Sequence, residues 1–440
     1  MKRVSTIFVG LMFIFASNAA TAKEQPQEVD LEQALELANS RNPGLQAVRT
    51  DIEKAQARIK NSWALLLPVV TGSFTFTHND HHDAVSLGGG PEVIIRRQDS
   101  LRGNLMVTMP VINARAWLGI WAAKQEEEVS KLTVQNAKQT LLLTVAQTYF
   151  TALSARSMIS VSQSNMDAIN RHLAVAKLRY GHGTGKRVDV LRAQTELISA
   201  KENLLSARSA FDNTCDTLGA LVGFDGMVRP KPPPHIQTPT ISENELEAKA
   251  QTRREDIRIQ KALRELAERQ LLSSWMSFIP SLGFSWQLNQ QITDPSDFSD
   301  ADKSRWFYAF TLSIPIYDHT RYAELDQLRA AVHKAELDTE NARLQAGMEV
   351  RQAYRQWQKA RQLVASAKQK AKVAAESLAV AELAYANGSG SSLEVTDARR
   401  TSQQAQMDLV VKRFDLRSAL LELLRKTGMD MMSLFEKKNK

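Results

Sequence analysis

Two segments of the sequence contain residue types that often carry chemistry, and the first is rich in glycine. Residues 181–187 read Gly-His-Gly-Thr-Gly-Lys-Arg, which has the glycines and the lysine of a phosphate-binding loop. Such loops place Ser or Thr directly after the lysine and follow a β-strand. Here arginine follows the lysine and the preceding segment has a helical pattern, so we interpret the stretch as a turn between helices.

The second segment is a cluster of potential metal ligands in the first quarter of the chain. It contains His78, Asp80, His81, His82 and Asp83. Imidazole and carboxylate groups are ligands for zinc and copper. The glycines at 88–90 predict a solvated loop, so we assign no metal site, and the sequence leaves open whether His78, His81 and His82 bind a metal.

Two acidic residues lie beside a second glycine-containing turn. Glu394 and Asp397 are three residues apart, which places both carboxylates on one face of a helix. Ser391 and Glu394 also have the spacing of a capping box, and acids near a helix start are stabilised by the helix dipole. From the residues alone, capping is the favoured interpretation and a functional acidic site is the alternative.

The remaining residues offer no catalytic constellation. No convergent Ser/His/Asp, Cys/His or paired-acid arrangement stands out, and the 8 histidines are scattered. The single cysteine, Cys215, cannot form an intramolecular disulfide or a zinc site by itself, and its apolar neighbours predict a buried side chain. We therefore predict a protein that is not an enzyme and uses no cofactor, and rank an exported enzyme last.

The composition and the N-terminal segment indicate export. Of the 440 residues, 43% are hydrophobic and 24% are charged, with a net charge of +8. Lys2 and Arg3 precede an apolar run that ends in Ala20-Thr21-Ala22, so residues 1–22 are predicted to be a signal peptide. Its removal leaves a net charge of 8 − 2 = +6, too weak to indicate nucleic-acid binding. No apolar run reaches the ~18 residues of a membrane-spanning helix.

An internal repeat organises the rest of the chain. Residues 63–68 (Trp-Ala-Leu-Leu-Leu-Pro) align with residues 275–280 (Trp-Met-Ser-Phe-Ile-Pro), and the turn after Tyr180 aligns with the turn after Tyr385 without a gap. We predict a duplication. Its parts would be a first repeat at 23–228, a proline-rich equatorial connector at 229–242 and a second repeat at 243–440.

Each repeat contains two segments in which apolar residues alternate with small or polar ones. In the second repeat the apolar positions are every second residue from Leu282 to Leu288 and from Trp306 to Ile314. About ten residues with one apolar face suit a tilted transmembrane strand between lipid and water. Residues 101–109 also alternate, residues 69–77 do so more weakly, and the alternative for all four segments is an edge of a soluble sandwich.

Most other segments are predicted to be helical. Residues 111–180 and 316–385 contain no proline, and apolar residues recur at alternating spacings of three and four, which is typical of coiled-coil packing. Each such helix would be ~105 Å long. The helices before the strands, at about 30–66 and 243–278, and those after the turns, at 188–222 and 393–428, would have about half that length. Two half-length helices stacked end to end would match one long helix, with the breaks at mid-height.

The number of strands requires more than one chain. Four strands cannot close a barrel, and an open sheet edge is not stable in lipid. A trimer would supply 4 × 3 = 12 strands, an even number within the range of such barrels. We predict a mainly α-helical protein with transmembrane β-strands, in which a trimeric 12-stranded outer-membrane β-barrel continues into a long, hollow α-helical barrel in the periplasm.

These features resemble the TolC-like outer-membrane efflux proteins. The resemblance is carried by Asn42-Pro43, the two Leu/Ile-Pro strand openings, the two turn motifs and the duplicated order of elements, and it covers essentially the whole mature chain. It implies a homotrimeric exit duct of a tripartite efflux or type I secretion system, embedded in outer-membrane lipid. The duct would bind a periplasmic adaptor and passively conduct small molecules or proteins delivered by an inner-membrane transporter.

The resemblance also implies roles at the two turns, which would form the periplasmic tip. Residues 393–398 match the family's second-turn pattern, in which acidic residues ring a constriction, so Glu394 and Asp397 are the candidate gate residues. Three chains would place 2 × 3 = 6 carboxylates around the opening, which attracts cations. Tyr385 and Asp189 match further positions of the closing network, although a heptad core position explains Tyr385 equally well.

One position departs from the family's pattern. The family often has a basic residue in the second turn where this sequence has Gly390. We hypothesise that Lys186 and Arg187 of the first turn substitute for it by pairing with Glu394 of a neighbouring subunit. Together with Gly183 and Gly388, they are the candidate gate or adaptor contacts at the tip.

A soluble periplasmic coiled-coil adaptor or scaffold is the main alternative. It would share the long helices and the signal peptide. The four alternating segments argue against it, because an adaptor needs no lipid-facing residues.

Overall fold

The computed structural model describes residues 27–86, 88–89, 92–232, 242–293 and 303–434. The predicted signal peptide and most of the predicted connector lie outside the described residues. In chain order the elements are β1 (Gln27–Val29), α1 (Leu31–Arg41), α2 (Pro43–Ala64), β2 (Val69–His78), β3 (Asp83–Val85), β4 (Val93–Arg96), β5 (Asp99–Ile112), α3 (Ala114–Gly181), α4 (Arg187–Val222), β6 (Val228–Pro230), α5 (Glu243–Arg253), α6 (Glu255–Trp275), β7 (Ser281–Gln291), β8 (Ser304–Ser313), α7 (His319–Ala386) and α8 (Ser392–Lys426).

The second half of the chain repeats the helix order and the helix lengths of the first half. α1 and α5 both have 11 residues, and α2 and α6 have 22 and 21. α3 and α7 both have 68 residues, and α4 and α8 have 36 and 35. At 1.5 Å per residue, each long helix extends ~100 Å. None of the helices in the described part of the chain is both long and apolar enough to cross a membrane.

Four strands form one antiparallel sheet in the order β2-β5-β7-β8. The register pairs Val107 with Trp286 and Trp286 with Tyr308, so the apolar positions of neighbouring strands share one face. Mostly small or polar residues occupy the opposite face. Among the described residues nothing covers the apolar face, since Phe74 and Phe310 are 79% and 62% exposed. The four strands predicted from period-two alternation are thus present and form a continuous sheet with one apolar face.

The half-length helices stack along the long ones as predicted. α4 and α8, which follow the turns, pack on the halves of α3 and α7 nearest the turns. α2 and α6, which precede the strands, pack on the halves nearest the sheet, and α8 and α6 also bridge α3 to α7. Near the turns, the order of the four helices is therefore α4-α3-α8-α7.

The two largest cores lie at mid-height. One surrounds Tyr149 and Phe150 at the middle of α3 and includes Leu35 of α1 and Leu218 of α4. The other surrounds Val350 and Trp357 at the middle of α7, with side chains from α5 and α8. Short strands β1 and β6 pair in parallel beside the first core, and the Tyr149 hydroxyl donates a hydrogen bond to the Lys231 carbonyl at 2.5 Å. The mid-height level is thus where the half-length helices end and their apolar faces converge.

The helices before the strands are broken, which differs from the continuous helices predicted over about 30–66 and 243–278. Asn42 is extended (φ −61°, ψ 118°), accepts a hydrogen bond from the Leu45 amide, and precedes Pro43 at the first helical position. Its amide Nδ2 also donates to the Leu221 carbonyl at 2.9 Å. At the second break Arg254 is extended (φ −61°, ψ 129°), without a proline or a side-chain cap. Tertiary contacts at mid-height, more than local propensity, set this second break.

Two glycines pack the C-terminal ends of α4 and α8, the return helices that follow the turns, against these breaks. Gly223 and Gly428 have φ values of +73° and +72°. A Cβ on Gly223 would lie 2.7 Å from the Arg41 carbonyl oxygen, and one on Gly428 would lie 2.8 Å from the carbonyl carbon of Arg253. Each glycine therefore packs directly on the last residue of a short mid-height helix.

Substitution of Gly223 is expected to destabilise the mid-height region. Gly223→Ala should lower the free energy of unfolding by at least about 1–2 kcal/mol, because an L-residue is strained at positive φ and the added methyl meets backbone. Gly119→Ala is the matched control, since nothing lies within 4 Å of its Cβ position in α3. Thermal unfolding followed by circular dichroism should separate the two variants; equal melting temperatures would contradict this packing.

Candidate functional site at the helical tip

The two turns between long and return helices have the same construction. Gly183 and Gly388 follow the ends of α3 and α7 with φ values of +72° and +83°. Gly185 and Gly390 then pass so close to the preceding helix that a Cβ would lie 3.0 Å from the backbone nitrogen of Tyr180 and of Tyr385 respectively. The segment 181–187 is therefore a helix-to-helix turn, as predicted. Any side chain in place of Gly390 would require this turn to shift by a few tenths of an ångström.

Glu394 and Asp397 lie in the first two turns of α8. The Ser391 hydroxyl accepts a hydrogen bond from the Glu394 amide at 3.2 Å, and the Glu394 carboxylate accepts one from the Ser391 amide at 3.1 Å. The capping box predicted from the sequence is thus confirmed. Both acidic residues are exposed, so capping leaves their carboxylates accessible to other groups.

Tyr385 lies close enough to Asp189 for the carboxylate charge to act on its hydroxyl, while the role of both residues in closing the tip stays a prediction. Tyr385 is buried, and burial raises the pKa of its hydroxyl, with the nearby Asp189 charge adding to the rise. Arg179 donates to the Tyr385 carbonyl, and its guanidinium carbon lies 4.7 Å from the centre of the Tyr385 ring. Tyr385 is therefore both a core residue of the coiled coil and the point where the two turns meet.

Lys186 and Arg187 lie at the start of α4. Lys186 is the N-terminal cap residue and makes no side-chain capping bond, and both side chains are exposed. Their pairing with Glu394 of a neighbouring subunit stays a prediction.

Arg399 is a tip residue that sequence reasoning missed. It is 3% exposed, and its guanidinium lies 2.9 Å from Glu382 of α7 and 3.7 Å from Glu196 of α4. Arg399 thus joins α8 to α7 of its own hairpin and to α4 of the other hairpin. Its Nε and Nη1 atoms are buried without a hydrogen-bond partner among the described residues, so the ion pairs satisfy this cation incompletely.

His172 of α3 is the second tip residue that sequence reasoning missed. It is 7% exposed, its Nε2 lies 3.3 Å from the Ser392 hydroxyl, and its ring centre lies 5.1 Å from that of Tyr385. Burial, and after it the Arg399 charge, lower the pKa of His172 to about 4. At neutral pH the imidazole is therefore uncharged.

A signal for both missed residues exists in the helical spacing. The buried positions of α8 nearest the turn are Ser392, Val395, Arg399 and Ser402, at spacings of three and four. His172 lies on the equivalent buried stripe of α3. A charged or titratable residue at a buried heptad position is the pattern that would have singled them out.

A groove runs between α4 and α8 beside these residues. It has a volume of about 620 Å³, and its lining includes Arg192 and Arg400 as well as Arg399. Its apolar lining residues Leu191 and Leu393 are each 50% exposed. Glu196 and Asp397 line it as well, so the groove combines apolar surface with charges of both signs next to the turns.

The histidine-rich segment at 78–83 does not form a metal centre in the part of the chain that the structure describes. The His78 Nδ1 lies 2.7 Å from Asp99, and Asp83 lies 2.8 Å from Arg96. Among the described residues, no group of three or more His, Cys, Asp or Glu side chains is arranged to hold a metal ion. Cys215 is fully buried, as predicted, and burial raises the pKa of its thiol to about 11.

Comparison with known proteins identifies the fold and the family. The sequence matches the outer membrane efflux protein family over residues 34–224 and 246–429, and the chain belongs to this family. Outer membrane protein TolC of Escherichia coli is 22% identical over 437 residues, covering 94% of this chain and 84% of TolC. Pyoverdine export outer membrane protein OpmQ of Pseudomonas putida is also 22% identical, covering 86% of this chain and 81% of OpmQ. The CmeC outer membrane channel of Campylobacter jejuni superposes with a TM-score of 0.75 at 15% identity, covering 100% of this chain and 96% of CmeC.

Family membership settles the class of protein. The chain is an outer membrane efflux channel with its helical part in the periplasm, and it is not an enzyme. The resemblance read from the turn motifs and from Asn42-Pro43 is confirmed. The soluble adaptor or scaffold alternative is wrong.

Proposed function

We propose that three copies of this chain form the outer-membrane exit duct of a tripartite efflux or type I secretion system. The observation that carries this proposal is the four-stranded sheet, which has one apolar, uncovered face and two edges, β2 and β8. Backbone groups at a sheet edge need partners in lipid. Pairing β8 of one copy with β2 of the next satisfies every edge, and three copies give 4 × 3 = 12 strands.

The helical edges support the same ring. α4 and α7 are the outer helices of the order α4-α3-α8-α7, and both carry exposed apolar residues. On α4, Leu191, Ile198 and Leu205 recur every seven residues and are 50%, 60% and 70% exposed. On α7, Val373 and Val380 are 53% and 68% exposed. A head-to-tail ring brings α7 of one copy against α4 of the next, so each edge helix gains a partner.

The duct would conduct passively and narrow at the tip. No part of the mechanism needs an energy source in this chain, since an inner-membrane transporter would supply the work. Six carboxylates from Glu394 and Asp397 would line the constriction and favour cations. Lys186 and Arg187 would pair with Glu394 across subunits in the closed state.

The tip would also bind the periplasmic adaptor. Gly183 and Gly388 lie at the turns, where they expose backbone, and the groove between α4 and α8 offers apolar surface through Leu393. Helices that lie in grooves are recognised through such apolar contacts. A helical hairpin of the adaptor is the partner with this shape.

The matching halves support the proposed duplication. Repeats at 23–228 and 243–440, joined at 229–242, account for the equal helix lengths and for the equivalent contacts of Gly223 and Gly428. The joining segment begins at β6 beside Tyr149, at mid-height.

Neutralising the acidic pair is expected to abolish cation selectivity. The double variant Glu394→Gln/Asp397→Asn should move the reversal potential in a salt gradient close to zero, because the carboxylates that attract cations are gone. Planar-bilayer recordings of the purified protein measure this directly.

The matched control is Ser391→Ala. This variant removes the capping hydroxyl, at a cost of about 1 kcal/mol to the helix, and leaves both carboxylates in place. It should retain cation selectivity. Unchanged selectivity in the double variant would reduce the two acids to helix-capping residues.

A further inference from the structure

Seven polar side chains from four helices lie close together at the tip, some of them buried and others, such as Glu382, partly exposed. They form a set that we name the tip cluster: His172 of α3, Asp189 and Glu196 of α4, Glu382 and Tyr385 of α7, and Ser392 and Arg399 of α8. Every helix of the two hairpins contributes at least one member. A change of charge in this cluster therefore acts on the packing of all four helices at once.

We propose that protonation of His172 loosens the tip and makes the opening of the duct sensitive to acid. The proposal rests on the proposed function in one respect, namely that the tip is where the duct closes. Its basis is a buried imidazole held between the Ser392 hydroxyl and the Tyr385 ring, beside a buried arginine. Nothing in the outer membrane efflux family match assigns this role to a histidine.

The neutral imidazole fits its surroundings and the charged one does not. Arg399 already places a positive charge in the cluster, and its Nε and Nη1 lack hydrogen-bond partners among the described residues. A second buried cation would add repulsion and a desolvation cost. Separation of α3 from α7 and α8 relieves both, because it lets water reach the imidazolium.

The carboxylates of the cluster do not compensate for this cost. Glu382 and Asp189 each favour the protonated imidazole, but their effect is smaller than those of burial and of the Arg399 charge. Glu382 is held by Arg399 at 2.9 Å, and Glu196 faces Arg399 from α4. The Tyr385 hydroxyl stays neutral, since its pKa is raised. The net effect of the surrounding groups is to oppose protonation.

The direction of the pH dependence follows from these groups. The pKa of His172 is about 4 in the packed tip and returns towards its ordinary value of about 6.5 when water reaches the ring. The packed tip therefore has its full stability above pH 6.5 and loses it as the pH falls towards 4. Between pH 7.5 and pH 5 the ratio of loosened to packed tips is expected to rise about 30-fold.

The experiment compares three proteins in planar bilayers at pH 7.5 and pH 5.0: wild type, His172→Gln and His182→Gln. Glutamine is uncharged at both pH values and can still bond to the Ser392 hydroxyl. His182 is the C-terminal cap residue of α3, the helix that contains His172, and it is exposed. Its variant is therefore the matched control. Wild type and His182→Gln should open more at pH 5.0, and His172→Gln should lose most of that increase.

A second readout does not depend on channel recording. Hydrogen–deuterium exchange of residues 385–400 is measured in wild type and in His172→Gln at pH 5.0. Because both proteins are measured at one pH, their intrinsic exchange rates in this segment are the same. Faster exchange in wild type alone supports the proposal. Equal exchange, or an equal acid response of the current in all three proteins, overturns it. Absence of current in every protein counts against the proposed duct, and the exchange data then still decide the role of His172.

Discussion

Phe310→Lys is expected to prevent most of the protein from assembling in the outer membrane, whereas Thr311→Lys is expected to be tolerated. The two residues are neighbours in β8 and lie on opposite faces of the sheet. Phe310 belongs to the apolar face, where its ring centre lies 5.2 Å from that of Phe284. A lysine on the lipid face near the bilayer midplane costs about 2–4 kcal/mol per chain, and a ring of three copies incurs that cost three times.

The measurement is membrane fractionation combined with electrophoresis of unheated and heated samples. Thr311 faces the side with mostly small and polar residues, so a lysine there would face water inside a barrel. Normal insertion of Phe310→Lys would contradict the assignment of the apolar face to lipid. If neither variant inserts, β8 tolerates a lysine on neither face. The cause would then be the position of β8 at the edge of the sheet, and not the exposure of one face to lipid.

Arg399→Gln is expected to open the tip and raise single-channel conductance. Arg399 is buried, but the side chains of Glu382 and Glu196 are 46% and 22% exposed, so the charge left unpaired is partly solvated and its cost stays below the about 3–5 kcal/mol of a fully buried pair. Here two carboxylates, Glu382 of α7 and Glu196 of α4, would lose their cation. The strain falls on the contacts that hold α8 to α7 and to α4, so the packed tip becomes less stable.

Arg400→Gln is the matched control for this variant. Arg400 follows Arg399 directly and lines the groove between α4 and α8, but it is exposed. Its replacement should leave the conductance unchanged. The double variant Arg399→Met/Glu382→Gln should conduct less than Arg399→Gln, because it removes one of the carboxylates left unpaired. Equal conductance of wild type and Arg399→Gln would mean that Arg399 contributes to helix packing but not to closure of the tip.

The sequence predicted the periodic parts of the fold well. Period-two alternation located all four strands of the sheet, since a strand between lipid and water must alternate. The absence of proline over 111–180 and 316–385 located both long helices to within a few residues of their observed ends. The glycines of the two turns also predicted the turns correctly, because a left-handed backbone after a helix favours glycine.

The sequence did not predict features set by contacts between distant residues. Asn42-Pro43 is a local break signal, whereas Arg254 has no such signal and is extended beside Asp256 and Glu349. Arg399 and His172 were not predicted because their partners lie on other helices inside the tip, whereas the turn motifs point to exposed acids such as Glu394 at its rim. The partners of a buried arginine come from helices that are far apart in sequence, so its role cannot be predicted from neighbouring residues.

Planar-bilayer recording of the purified wild-type protein beside Arg399→Gln tests the central claim most directly. If several copies form a duct closed at its tip by buried contacts, wild type should give discrete, cation-selective steps of low conductance. Arg399→Gln should give larger steps. A protein that inserts into the bilayer as a heat-modifiable oligomer yet passes no current in either form would contradict the claim that this chain builds a conducting duct.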